Sequence, residues 1–199
     1  MFGASSIVVL GQLIYRIHQL EGTSPNIVIR KTENILGSVS NFVTGQNEYP
    51  WFLRVHIAND PKSSISGVTV NQIAGHISFY DANNKLCFEP MIGRWAETRE
   101  IASGAQPIDI DQIPIPPTGR SYILDIGLKY HDENEFYAYN NETPRKPGKG
   151  FRDADRRLDI GLYRVELRLR GEKTDKKFYF NLNNPGSGNE VDFNLIKKR

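Results

Sequence analysis

The chain has a single cysteine, Cys87, among 199 residues. No intramolecular disulfide can form, and no cysteine-based zinc site can be assembled. With no partner histidine in a motif, Cys87 reads as a small core hydrophobe. The missing bridge favours a reducing compartment, so a cytoplasmic or membrane-associated location is expected. There is no Gly-x-Ser-x-Gly elbow and no Gly-x-x-x-x-Gly-Lys-Ser/Thr loop. Pro147-Gly148-Lys149-Gly150 has the glycines of a phosphate loop but neither its spacing nor a following helix. No βαβ alternation appears, which argues against a doubly wound nucleotide-binding sheet. No catalytic constellation and no cofactor motif stands out.

The chain is also short of long apolar runs. Its one apolar cluster is Ile7, Val8, Val9, Leu10, Leu13, Ile14 and Ile17, with Gln12 inside it. A membrane span needs about 20 such residues. A secretory signal wants a basic start and a small-residue cleavage site, and neither is present. Leu10, Leu13, Ile14 and Ile17 follow the helical spacing i, i+3, i+4, i+7. Residues 1–22 are therefore expected to form a short amphipathic helix. Its apolar face docks on the body of the protein, on a partner or on a membrane surface, or the segment is a membrane anchor, the second reading.

Net charge is low, at +2, but unevenly spread. Residues 145–180 carry a net +6 and residues 80–144 a net −6. Two readings follow. The halves neutralise each other within one domain, or the basic stretch forms a face for an anionic partner.

What the sequence has in abundance is alternation. Tyr163, Val165, Leu167 and Leu169 alternate with Arg164, Glu166, Arg168 and Arg170. A strand sends successive side chains to opposite faces, so one face is apolar and the other charged. Phe178, Phe180 and Leu182 repeat the pattern, and Val191, Phe193 and Leu195 close it. Earlier runs are Trp51–Ala58, Ile73–Tyr80 and Tyr122–Tyr130, with weaker ones at 27–30, 39–43, 86–91 and 108–115. Asp81-Ala82-Asn83-Asn84 reads as a hairpin turn. Residues 93–107 look irregular, and 131–160 show no strand pattern. A loop that long is usually functional or mobile, and an enzyme assembled from such loops stands as a further alternative to a non-catalytic module. The expectation is an all-β antiparallel sandwich of about eight or nine strands over residues 26–199.

Phe52-Leu53-Arg54-Val55-His56-Ile57-Ala58-Asn59, and much later Gly161-Leu162-Tyr163-Arg164-Val165-Glu166-Leu167-Arg168-Leu169-Arg170-Gly171, carry a resemblance. Over residues 26–196 the chain resembles immunoglobulin-like sandwich domains of uncharacterised prokaryotic proteins. A tyrosine two residues after a glycine, entering a long strand, is similar to the start of a late strand in many of them. The resemblance implies an immunoglobulin-like fold. It implies no function, because the fold hosts many. The chain is longer than antibody-type domains and lacks their bridging cysteines.

Candidate sites follow from residue chemistry. Arg164, Arg168 and Arg170 offer a basic strand face to a protein partner. Trp95, Tyr137 and Tyr139, with Trp51, offer rings on which a sugar could stack, the second reading. Basic residues interleaved with aromatics over 163–180 are a third, nucleic-acid reading, without a recognition motif. His56 and His76 would share a metal if their strands paired. Asp132, Glu133 and Glu135, or Asp153, Asp155 and Asp159, offer oxygens to calcium, though salt bridges are the plainer reading. No metal site is expected. Asn141-Glu142-Thr143 is a formal glycosylation acceptor.

Overall fold

The computed structural model describes residues 12–13, 25–40, 45–60, 67–98, 111–143 and 151–196. The strands are β1 (Ile27–Leu36), β2 (Val39–Ser40), β3 (Asn47–Glu48), β4 (Trp51–Asn59), β5 (Val70–Tyr80), β6 (Met91–Ile92) and β7 (Arg94–Trp95). They continue as β8 (Ile113–Ile115), β9 (Ser121–Lys129), β10 (Phe136–Ala138), β11 (Arg157–Leu158), β12 (Gly161–Gly171), β13 (Thr174–Asn184) and β14 (Asp192–Leu195). The first sheet runs β1-β4-β9-β10-β11, with β7 also beside β9. The second runs β14-β13-β12-β5-β6, with β8 also beside β5. Every pairing is antiparallel.

The two sheets pack face to face. Leu53, Val55 and Ile57 of β4 and Leu124 and Ile126 of β9 meet Ile77 and Phe79 of β5. Val165, Leu167 and Leu169 of β12 and Phe180 and Leu182 of β13 complete that layer. Burying one such side chain contributes roughly 1.5–3 kcal/mol. The expected alternation is the cause, since a period of two places every second residue in this layer.

Two devices shape the sheets. Leu53 of β4 faces Gly127 while Arg54 faces Asp125, so β9 has one extra residue, Ile126, in a bulge. The bulge turns Asp125 to the outer face opposite Arg54. At the open side, Thr32 and Asn34 of β1 donate to the backbone carbonyls of Phe193 and Val191. These bonds satisfy the exposed edge of β14 and tie the two sheets together.

The expected count of strands is exceeded because seven, β2, β3, β6, β7, β8, β10 and β11, have only two or three residues. Such pieces are too short to show a period. The region 131–160, expected as loop, contains β10, a 3-10 turn at Ala154–Arg156 and β11. Residues 93–107, expected to be irregular, contain β7. The helix expected over 1–22 lies outside the described residues except for Gln12 and Leu13, both helical. Among the described residues no helix is long and apolar enough to cross a membrane.

Candidate functional site: the outer face of the second sheet

β12 places Arg164, Glu166, Arg168 and Arg170 on the outer face of the second sheet. Strand register sets their neighbours. Arg164 lies between Tyr80 of β5 and Asn181 of β13, and Asn194 of β14 follows in the same row. Glu166 lies between Ser78 and Tyr179. Arg168 lies between His76 and Lys177, and Arg170 between Ala74 and Asp175. Leu162 extends the row of β12 outward-facing residues and is 67% exposed.

The face is not uniformly basic. Arg168 grips Asp175 with two bonds, Nε to Oδ1 at 2.7 Å and a second from its other nitrogen to Oδ2. Arg170 reaches the same carboxylate at 3.9 Å. Lys177 pairs with Glu166 at 2.8 Å. Asp175 makes Arg168 hold its proton more tightly, and Arg168 in turn holds the Asp175 carboxyl below its usual range. His76 is pushed below an ordinary histidine, first by burial and then by the charges of Arg170 and Arg168. Arg164 is different. Its guanidinium lies over the Tyr80 ring, 4.7 Å from the centroid, and its Nε is buried with no hydrogen-bond partner.

The first sheet presents a contrasting outer face. Phe52, Leu128, Tyr130, Tyr137, Tyr139, Phe151 and Val39 form a second apolar cluster there. Among them Asp125 is fully buried and bridges Arg54 Nε and Arg94 Nη1, each at 2.8 Å. Arg152 donates to Glu133 and Glu48 at 2.6 Å each and stacks 3.6 Å from the Tyr130 ring centroid. Tyr137 donates its hydroxyl to Glu133. Burial and the Glu133 carboxylate push that hydroxyl well above the usual tyrosine range.

The sequence candidates therefore fall in different places. Arg164, Arg168 and Arg170 share one open face. Trp95, Tyr137 and Tyr139 are 0%, 7% and 2% exposed. Trp95 belongs to the core between the sheets and the tyrosines to the covered outer face, so no ring of the three is offered to a sugar. His56 and His76 do not share a face, because β4 and β5 belong to different sheets. His56 instead pairs with Glu33. Glu133 of the first acidic group is taken by Arg152 and Tyr137. In the second group Asp153 accepts from the Asp155 backbone N–H and Asp159 pairs with Arg157. No group of three His, Cys, Asp or Glu placed to hold a metal exists among the described residues. Asn141 of the glycosylation acceptor is buried and donates to Asp111 at 2.7 Å.

Two further features escaped sequence reasoning. Lys129 is buried and donates to the carbonyls of Glu133 and Asn134 and to Asn184 Oδ1 at 3.1, 3.3 and 2.9 Å. Its three N–H bonds all meet oxygen, so it acts as a structural cation rather than a nucleophile. The commitment of Asp175 to Arg168 also went unread. The two-residue turn Glu172-Lys173, which sets Gly171 against Thr174, was the signal that places it.

No protein-family model, no curated protein and no solved structure matches the chain.

Proposed function

We propose that this is a non-catalytic interaction module of immunoglobulin-like type that binds a protein through the outer face of its second sheet. Strand order supports the type. β1, β4, β9 and β7 sit in the order A-B-E-D, and β13, β12, β5 and β6 in the order G-F-C-C′, when strands are lettered along the chain. Tyr163 supports it as well. It stands at the start of the F-equivalent strand and donates its hydroxyl to the Asp159 carbonyl, four residues back, at 3.1 Å. That is the bond of a tyrosine corner. Val165, two residues on, occupies the core place that a bridging cysteine takes in antibody domains.

The observation that carries the interaction reading is the open row of Arg164, Arg168 and Arg170 beside Tyr80 and Tyr179. Arginine and tyrosine are the residues on which protein interfaces concentrate their energy. The pairing of Glu166 and Asp175 with their neighbours leaves too little free charge for a polyanion such as nucleic acid, whose binding scales with the phosphates neutralised. In this reading residues 1–20 tether the module, and retention of the full chain in carbonate-washed membranes tests that part. The face is tested by affinity capture with the wild-type chain and with an Arg164→Glu, Arg168→Glu, Arg170→Glu variant. The same co-purifying proteins in both would refute the face.

A further inference from the structure

The open face is divided. At one end Arg168, Arg170, Lys177, Glu166 and Asp175 satisfy one another. At the other end Arg164 has no carboxylate partner among the described residues. It lies over Tyr80, its Nε lacks an acceptor, and it is flanked on its own strand by the exposed Leu162. Asn181 and Asn194 extend the same row with amides.

We infer that Arg164 is the anchor of this face and that it receives a carboxylate carried beside an apolar side chain on the partner protein. The inference rests on the interaction reading above and names the chemistry of the partner.

Three physical points lead there. A guanidinium presents donors in a planar fork that fits a carboxylate in two-point contact. Stacking on Tyr80 fixes the plane of that fork before any partner arrives, so little side-chain freedom is lost on binding. The terminal nitrogens of Arg164, which no carboxylate among the described residues engages, also gain more from a partner than a donor that must first leave an existing ion pair. Arg168 is in that second position, since binding a new carboxylate means releasing Asp175. Leu162 supplies the apolar neighbour that excludes water around the new contact, as rim residues do around an interface hot spot.

The probe is poly-L-glutamate, titrated into the full chain and followed by backbone amide NMR, with inorganic polyphosphate as the comparison anion. The expected result is shifts at Tyr80, Leu162, Arg164 and Asn181. Arg164→Ala and Arg164→Lys should both weaken poly-L-glutamate by about tenfold, the scale of one lost charge-assisted pair. Arg168→Ala should change it by less than about twofold, the effect of a peripheral charge. Arg164→Lys keeps the charge and the fold, so a loss there reports the stacked fork itself. Equal weakening by Arg164→Ala and Arg168→Ala would overturn the anchor and leave a simple sum of charges. No binding of poly-L-glutamate, or equal dependence on Arg164 for polyphosphate, would overturn the carboxylate. In each of those cases the captured proteins can still depend on the triple charge reversal, and then the interaction reading stands without the anchor. If capture is insensitive to that reversal, the interaction reading itself falls.

Discussion

The two outer faces of this molecule carry the same kinds of residue and treat them in opposite ways. On the first sheet, Arg54 and Arg94 lie against the rings of Phe52 and Tyr139 and share Asp125, which is fully buried. On the second, Arg168 and Asp175 make a close pair with both side chains exposed. What separates them is cover. Val39 of β2, Tyr139 and Phe151 pack on the first face, and no described element lies over the second. A charge pair under cover becomes structurally obligatory, because removing one partner strands the other away from solvent. A charge pair in the open contributes little to stability and stays available for exchange. The covered face therefore works for the fold, and the open one leaves its side chains exchangeable with solvent.

The largest expected effect breaks the covered pair. Asp125→Ala leaves two arginines, one of them buried, without their carboxylate. It should lower unfolding free energy by about 3–5 kcal/mol in a urea titration. Asp175→Ala on the open face should leave the urea midpoint unmoved. A loss for Asp125→Ala no larger than that for Asp175→Ala would mean that the first face is as wet as the second. A second substitution compares apolar groups. Phe52 packs edge-on against Tyr139 at 6.0 Å and lies under Arg54. Phe52→Ala should cost about 3 kcal/mol, as for a buried phenylalanine. Tyr179→Ala, on the open face, should fall well below that in the same titration.

The contrast also explains what the sequence made legible. β12 and β13 alternate cleanly because one side of each is dry and the other wet, so Arg164, Arg168 and Arg170 were readable as one face. β9 reads as a strand too, but its burial is continuous from Leu124 to Lys129. The cover that causes this comes from Val39, the tyrosines at 130–139 and Phe151, far apart in the chain, and no local period encodes it. Tyr137 and Tyr139 looked like surface rings for the same reason. Trp95 sat in a stretch without pattern because β7 has two residues. The pairing imagined for His56 and His76 failed because the chain changes sheet between β4 and β5. Arg164 could be read as basic, but its lack of a carboxylate depends on where Asp175 and Glu166 settle, which only register decides.

A smaller effect tests the fold type. Tyr163→Phe removes only the hydroxyl that reaches the Asp159 carbonyl. The ring still packs against the core, so the loss is that of one partly exposed hydrogen bond, about 1 kcal/mol. The shift should appear as a lower urea midpoint with an unchanged slope, because the compactness of both end states is untouched. A changed slope, or no shift, would deny the corner a structural role and weaken the immunoglobulin-like assignment.

The smallest expected effect lies on the open face and concerns protons. His76 sits opposite Arg168 and Ile92, with Arg170 and Asp175 nearby. Burial and the two arginines lower its proton affinity, and Asp175 opposes them more weakly. The unfolded chain, with an ordinary histidine near pH 6.5, therefore takes up this proton first as pH falls. Stability contributed by neutral His76 is present above about pH 6.5 and declines below it, towards the lowered native value. Binding of an acidic partner has the opposite sign. A partner that also brings a carboxylate beside Arg168 and Arg170 offsets those arginines, raises the proton affinity of His76 and makes complex formation take up protons. Mild acid should then weaken the fold slightly while tightening the complex. Calorimetric titration at pH 6 in two buffers of different ionisation enthalpy measures the uptake directly. His76→Gln should abolish it and flatten the acid limb of the stability profile. Proton uptake that survives His76→Gln would place the titrating group on the partner rather than on this face.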